Sequence, residues 1–394
     1  RMSKMSSNQE KNGNGRKFFV LVWAISTIPL IRFIADWTKG FDFLIYQYLA
    51  DDAFYYFEIS KHIPEFNLGI PNSGFHPLYA IIISPLHKYL GYQLAISLNL
   101  LFLIIANCSS VLLVYSLLSI YWDRAVAMLS AFLLAISPLM YGISLTGVET
   151  IMATAVLFLF FLQFARIQAN DILKTSLDKY IVLGLIAGTS FLARMDSPLI
   201  IAPALMFFIF KLLKGKEYEK SVSLVLATLL LPLSWIVYIY NQTGHLFPTS
   251  GAALRVLRGI EPQILADLNS IRNSIAYILL NLVDFFIVLP YLFEVAALIV
   301  FFTVGIIGFL AFLRTTKFDK KTSTLTFVVL VTLGVIIWIS YYTFYQGGFR
   351  GWYLSQLGLW IFIVYLPMVL AIPFTPKEYE RAYHPGKFPK HIKR

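Results

Sequence analysis

Long apolar segments separated by short polar ones dominate this chain. About 20 apolar residues cross the hydrocarbon core of a bilayer as an α-helix, so each long segment predicts one transmembrane span. The pattern predicts ten spans, near residues 18–34, 92–120, 125–141, 149–166, 180–195, 198–214, 221–240, 291–313, 324–345 and 353–373. Alternating strands of about ten residues, typical of an outer-membrane barrel, are not visible. We therefore expect an all-α polytopic membrane protein with about ten transmembrane helices.

Two apolar stretches differ from these spans. Residues 78–90 are too short to cross a bilayer and contain Pro85, which favours a helix lying at the membrane surface. Residues 273–290 carry Asn281 and Asp284, which favours a re-entrant or interfacial helix. The predicted layout is a flexible tail at 1–17, one membrane domain at 18–373 with outer loops at 35–91 and 241–290, and a basic tail at 374–394.

Composition and charge support this layout. Hydrophobic residues make up 58% of the chain and charged residues 13%, about half of the charged fraction of a soluble globule. A net charge of +11 would suggest nucleic acid in a soluble protein, but here it follows topology. With the N-terminus inside, 23 of the 32 Lys and Arg residues fall on the cytoplasmic side, in accord with the positive-inside rule. We expect both termini in the cytoplasm and no nucleic-acid partner.

With this orientation, the polar segments that are unusual for a membrane protein fall on the outer side. They contain Asp, Glu, Arg, His, Asn and Gly, whereas the inner loops contain mainly Lys, Arg and a few acids. The segments are 51–52, 72–77, 146–150, 193–197, 241–248 and 346–353. We therefore expect the chemistry on the outer face.

Two adjacent carboxylates, Asp51 and Asp52, open a short amphipathic segment. Asp52 is a suitable N-cap for the helix that follows, and Tyr56 lies on the face that we expect to rest on the bilayer. A helix N-terminus favours the ionised carboxylate, which is the form that a general base needs. Consecutive helical residues point in different directions, so one aspartate can act as the base while the other caps the helix or binds an ion. Alternatively, both only cap and solvate the loop.

Three further candidates lie at outer helix ends. Arg194 and Asp196 can form a mutual ion pair, or Arg194 can bind a phosphate. Glu149 begins a span, where an acid is costly unless it is paired or hydrated. Its two interpretations are a site residue and a helix-terminal acid.

Four candidates lie in outer loops. His76 and His245 can bind phosphate or metal, or can be ordinary loop histidines. Arg350 is flanked by glycines that leave its guanidinium accessible. Tyr353 follows Trp352, and this pair is typical of an aromatic belt at the membrane interface.

These segments resemble the GT-C superfamily of integral-membrane glycosyltransferases. A short cytoplasmic tail, one span and an Asp-Asp pair in the first outer loop is the pattern of that superfamily, and the resemblance is carried by residues 51–56, 72–78, 146–150 and 192–196. The closer likeness is to bacterial members related to protein mannosyltransferases and aminoarabinose transferases, as in glycosyltransferase family 39. It covers most of residues 18–260 and is weaker over the C-terminal third.

The resemblance implies a reaction at the outer face of a bacterial plasma membrane. A hexose or pentose on a polyprenyl phosphate reacts with an acceptor hydroxyl of a glycan, lipid or protein, and the lipid phosphate leaves with inversion. We assign the base to Asp51, with Asp52 as the competing candidate, because Asp52 is the better placed cap. A divalent metal on this pair is possible but not required. The phosphate-binding candidates are Arg194 and Arg350, and the substrate-binding candidates are Glu149, His76, Asp196, His245 and Tyr353.

Two other classes of function compete with this interpretation. A transporter or flippase of lipid-linked glycans tends to show internal repeats and interrupted helices near the bilayer midplane. No repeat is visible, and the polar residues lie at the outer rim. A noncatalytic membrane scaffold would not need Asp, Glu, Arg and His collected on one side. The transferase interpretation is therefore favoured.

Overall fold

A computed structural model describes residues 20–65, 74–244, 318–342 and 354–370, together with residue 307. Within these residues all regular elements are helices. In chain order they are α1 (Ile28–Trp37), α2 (Phe41–Tyr48), α3 (Asp51–Lys61), α4 (Pro77–Tyr89), α5 (Tyr92–Tyr121), α6 (Arg124–Ile136), α7 (Pro138–Ser144), α8 (Thr150–Ala169), α9 (Leu177–Ala193), α10 (Ser197–Lys214), α11 (Tyr218–Thr243), α12 (Phe318–Tyr341), α13 (Leu354–Trp360), a π-helical turn (Ile361–Tyr365) and α14 (Leu366–Leu370).

The expected all-α polytopic membrane fold is confirmed. Six helices of the described chain are long and apolar enough to cross a membrane. They are Val20–Trp37, α5, α8, α10, α11 and the part of α12 from Thr322 to Tyr341. The stretch Ser355–Leu370 is a shorter apolar helix. Apart from residue 307, the predicted span 291–313 lies outside the described residues, as does the predicted helix 273–290.

The predicted span 125–141 is bent rather than straight. Helices α6 and α7 meet at an angle of 56°, because Pro138 lacks a backbone N–H and restricts the residue before it. Ser137 begins the new helix, and its hydroxyl accepts the backbone N–H of Met140 at 3.3 Å. After the bend, α7 leads into the turn at residues 145–149.

Close packing at glycines fixes the positions of two helices that carry residues of the candidate site. On α9, a methyl group on Gly184 would lie 2.7 Å from both the Ala227 side chain and a backbone oxygen of α11. On α12, a methyl group on Gly334 would lie 2.1 Å from the carbonyl oxygen of Ile200 on α10. Only glycine permits such backbone approach between membrane helices.

Helices α3 and α4 pack into the protein. Tyr56, expected to face the bilayer, is only 5% exposed and packs against Tyr79 of α4 with ring centroids 5.1 Å apart. Phe57 stacks on His87 of α4 at 4.5 Å. The expectation for Tyr56 is therefore wrong, because α4 and the turn before α8 cover the apolar face of α3.

Candidate active site

A fully buried arginine links three separate parts of the chain. Arg194 follows the end of α9, and its side chain is 1% exposed. Its Nε donates to Asp196 Oδ1 at 2.9 Å, and its Nη1 lies 3.3 Å from Glu149 Oε1. Glu149 and Asp196 are themselves only 4% and 8% exposed. Burial of charged groups is tolerated when they are paired and hydrogen-bonded, and this arrangement corresponds to the ion-pair interpretation of Arg194.

Two aromatic donors from α12 and its C-terminal end complete the surroundings of Asp196. The indole Nε1 of Trp338 and the hydroxyl of Tyr342 each donate to Asp196 Oδ2 at 2.7 Å. Arg194 Nη2 also donates to the Tyr342 hydroxyl at 3.3 Å. Trp338 and Tyr342 are four residues apart and share one helix face with Gly334, so the close contact of Gly334 with α10 directs both side chains toward Asp196.

His76 joins this ion pair from the N-terminal side of α4. The backbone N–H of Met195 donates to His76 Nδ1 at 3.2 Å, so Nδ1 is an acceptor and Nε2 carries the proton of the neutral ring. That Nε2 lies 3.5 Å from Glu149 Oε1. Tyr56 lies beside the same two residues: its hydroxyl accepts the backbone N–H of His76 at 3.2 Å, and burial together with the charge of Glu149 raises its pKa.

Two carboxyl groups and one guanidinium meet in this cluster. Burial lowers the pKa of His76 below its usual value; Glu149 opposes that effect and Arg194 adds to it. Burial alone would raise the pKa of Asp196, but the Arg194 guanidinium and His76, with the Trp338 and Tyr342 hydrogen bonds, hold it below its usual value. Arg194 is thus shared between two buried carboxyl groups. The cluster is therefore better suited to bind hydroxyl or cationic groups than a phosphate.

The start of α3 lies directly against the turn that carries Glu149. The backbone N–H of Ala50 donates to the Thr146 carbonyl at 2.9 Å. Gly147 has a φ of +74°, and a methyl group there would lie 2.8 Å from the Ala53 side chain. The Tyr79 hydroxyl donates to the Gly147 carbonyl at 2.7 Å. The Asp pair and Glu149 are thus at the two ends of one tightly packed junction.

The expected capping role of Asp52 is wrong. Helix α3 begins at Asp51, its N-cap is Ala50, and neither side chain acts as an N-cap. Asp51 instead accepts the backbone N–H of Asp52 through Oδ1 at 2.9 Å. Asp51 is exposed, whereas Asp52 is partly buried. The argument that favoured Asp51 as the base therefore no longer applies.

The structure brings together four of the predicted site residues, His76, Glu149, Arg194 and Asp196, and places the helix bearing Asp51 and Asp52 beside them. The remaining candidates, His245, Arg350 and Tyr353, lie outside the described residues. Among the residues that are described, no group of three or more His, Cys, Asp or Glu side chains is arranged to hold a metal ion.

Sequence reasoning missed three aromatic residues of this cluster. Tyr56 was assigned to the bilayer, and Trp338 and Tyr342 were treated as part of a span. The sequence does carry a signal for Trp338 and Tyr342: two aromatic residues with polar tips stand four residues apart near the end of a predicted helix. Their partner Asp196 is 142 and 146 residues away in the chain, which no local pattern reveals.

Comparison with known proteins adds an independent observation. Residues 77–239 match the profile of the dolichyl-phosphate-mannose-protein mannosyltransferase family. No curated protein and no solved structure matches the chain. The matched region includes Glu149, Arg194 and Asp196, begins one residue after His76, and does not include the Asp pair. The match covers less than half of the chain and, together with the all-helical membrane architecture, supports the resemblance found in the sequence to membrane glycosyltransferases of the GT-C type.

Proposed function

We propose that this protein transfers a hexose or pentose from a polyprenyl-phosphate donor to an acceptor hydroxyl at the outer face of the membrane, with inversion and with an aspartate as general base. The acceptor is a glycan, a lipid or a protein. In the reaction the acceptor oxygen forms a bond to the anomeric carbon and the bond from that carbon to the phosphate oxygen breaks. The acceptor proton passes to the carboxylate, and the bonding electrons leave with the lipid phosphate.

The observation that carries this proposal is the junction between α3 and the Glu149 turn. Three features meet there: an acidic helix start, a buried Glu-Arg-Asp ion pair, and a histidine whose Nε2 faces Glu149. Base catalysis needs a carboxylate within hydrogen-bond reach of the acceptor hydroxyl. Sugar recognition needs carboxylate and imidazole groups that can bind hydroxyls, and Glu149 and His76 are such groups.

Asp52 is the better supported base. It lies four residues before Tyr56 and therefore shares a helix face with it, and Tyr56 lies beside both Glu149 and His76. Asp51 lies four residues before Tyr55, on the more exposed side of α3. In this assignment Asp51 orders the first turn of α3 through its bond to the backbone N–H of Asp52.

The leaving phosphate of the donor needs a cation that is not already held by carboxylates of the protein. Arg194 is buried between two carboxylates, so we assign it the role of holding Glu149 and Asp196 in place. Arg350 remains our candidate for the leaving phosphate, because phosphate departure requires stabilisation of developing negative charge. His245 and Tyr353 remain candidate substrate contacts on the strength of the sequence alone.

The outer location of this site rests on the distribution of Lys and Arg. Both termini are placed in the cytoplasm by the positive-inside rule, and every segment of the cluster then falls on the outer side. A polyprenyl donor would reach the site laterally from the bilayer. The bacterial plasma membrane is the setting that the GT-C resemblance implies.

The test is a transfer assay with purified protein in nanodiscs. Polyprenyl-phosphate mannose and polyprenyl-phosphate arabinose serve as a hexosyl and a pentosyl donor, each with peptide, glycan and lipid acceptors and with or without a chelator. We expect sugar transfer together with release of polyprenyl phosphate. Asp52→Asn should lower the rate by about 10²- to 10⁴-fold, the usual contribution of a general base.

Matched variants make the result specific. Asp42→Asn alters an exposed carboxylate in the first turn of α2 and should leave the rate unchanged, and Asp51→Asn should cost less than Asp52→Asn. Full activity of both Asp51→Asn and Asp52→Asn would overturn the proposed base. Movement of the lipid-linked sugar across the bilayer, without release of lipid phosphate, would favour the flippase alternative.

A further inference from the structure

A third buried carboxylate, besides Glu149 and Asp196, lies outside the proposed reaction. Asp36, in the last turn of α1, is 6% exposed. Its Oδ1 accepts Lys39 Nζ at 2.6 Å. Its Oδ2 accepts two hydroxyl groups, from Tyr48 at 2.9 Å and from Tyr141 at 2.7 Å. Three donors on one buried carboxylate need an explanation beyond neutralisation of a lysine that is itself 53% exposed.

The two tyrosines belong to the two segments that form the candidate active site. Tyr48 is the last residue of α2 and precedes Asp51 by three positions. Tyr141 lies on α7, which leads into the turn at Gly147 and Glu149. Their rings meet edge to face, with centroids 6.1 Å apart. Asp36 therefore links the chain before the Asp pair to the chain before Glu149.

The same two segments run alongside each other beyond the tyrosines. Ala50 bonds to Thr146 through the backbone at 2.9 Å, and Gly147 packs against Leu49 and Ala53. Backbone and apolar contacts thus continue the junction beyond the polar contacts of Asp36. Hydrogen bonds to a buried charged group are among the stronger ones in proteins.

We propose that Asp36 is a positioning residue that, through Tyr48 and Tyr141, aligns the start of α3 with the turn bearing Glu149. Its catalytic consequence rests on the function proposed above, whereas the alignment itself does not. Lys39 lies three residues after Asp36, so its hydrogen bond is local and does not link the two segments. The neighbouring guanidinium of Arg32 lies over the Tyr141 ring at 4.0 Å and leaves the tyrosine hydroxyl to Asp36.

The alignment can be measured without an activity assay. Ala50→Cys and Thr146→Cys, in a background in which the single cysteine is removed by Cys108→Ala, place two thiols across the junction. The rate of linkage by a short bis-methanethiosulfonate reagent then reports their proximity. Asp36→Ala should slow linkage by about tenfold or more. Asp36→Asn, which keeps an oxygen that both tyrosines can reach, and Lys39→Ala should react like the parent.

A double-mutant comparison separates alignment from general loss of structure. Tyr141→Phe should slow linkage in the parent but have no further effect in the Asp36→Ala background, because interacting groups are non-additive. If Asp36→Ala does not yield folded protein, the Tyr48→Phe/Tyr141→Phe variant, which keeps the charge of Asp36, takes its place. Linkage at the parental rate in a folded variant lacking these bonds would overturn the proposal.

The transfer assay adds the catalytic readout. Asp36→Ala should lower kcat about tenfold with little change in donor KM, and Asp36→Asn should restore most of the loss. A parent protein without transfer activity would refute the proposed function. The linkage experiment would still test the alignment, because it does not depend on activity. An active parent with unchanged linkage and kcat in Asp36→Ala would refute the positioning role alone.

Discussion

Removal of the Arg194 side chain is the most informative single perturbation of the cluster. In Arg194→Ala, Glu149 and Asp196 remain buried at 4% and 8% exposure without their shared cation. Loss of one partner from a buried ion pair typically costs about 3–5 kcal/mol of folding free energy, because the remaining charge is uncompensated. Two carboxylates depend on Arg194, so we expect a loss at the upper end of that range.

A surface ion pair of the same chain supplies the control. Lys174 Nζ lies 3.4 Å from Asp171 Oδ2, with side chains 83% and 51% exposed. Such pairs contribute about 0–1 kcal/mol, so Lys174→Ala should unfold almost like the parent. The unfolding free energy of both variants can be measured by SDS titration in mixed micelles, followed by tryptophan fluorescence.

A double variant tests whether the loss of stability is electrostatic. The variant Arg194→Met/Glu149→Gln removes one of the stranded charges and should recover part of the stability lost in Arg194→Met. An Arg194→Ala protein within about 1 kcal/mol of the parent would refute the view that this ion pair organises the site. Equal losses for Arg194→Met and the double variant would refute the electrostatic explanation for the loss.

Three further predictions concern neighbouring contacts. Gly147→Ala should destabilise the protein by about 2–4 kcal/mol in the same titration, since it combines a positive φ with overlap at α3; Gly142→Ala, where a methyl group meets nothing within 4 Å, should be close to neutral. Tyr342→Phe should cost about 1.5–3 kcal/mol, because its hydroxyl donates to the ionised Asp196; its effect should be less than additive with Trp338→Phe, and strict additivity would show that the two donors act separately. The pKa of His76 is lowered on folding, so the unfolded chain takes up the proton first and stability falls as the pH drops below about 6.5; His76→Gln should lose less stability than the parent over that interval, and identical pH profiles would contradict the assignment.

Much of the fold follows from elementary periodicity. The spans near 92–120, 149–166, 198–214 and 221–240 correspond to α5, α8, α10 and α11 within a few residues, because long apolar runs have one stable form in a bilayer. The bend before Pro138 was not predicted, although the proline that causes it is visible. The direction that the chain takes after Pro138 depends on how α7 packs against its neighbours.

The candidate site was only partly accessible from sequence. The positive-inside rule collected His76, Glu149, Arg194 and Asp196 on one side of the membrane, and these four residues do meet in the structure. The role of each residue depends on contacts between distant segments. The guanidinium of Arg194 is enclosed because Glu149 reaches it from α8, and Tyr56 faces inward because α4 covers α3. The packing of distant segments determines the surroundings of these side chains, and the spacing of residues along the chain does not reveal that packing.

The most direct test of the central claim is the stoichiometry of transfer. Donor labelled in both the sugar and the lipid, incubated with purified protein and acceptor, should give one polyprenyl phosphate for each sugar transferred. Asp52→Asn should lose both products together, and Asp42→Asn should lose neither. Parental rates of both products from Asp52→Asn and from Asp51→Asn would contradict the claim that the Asp pair at the start of α3 supplies the base.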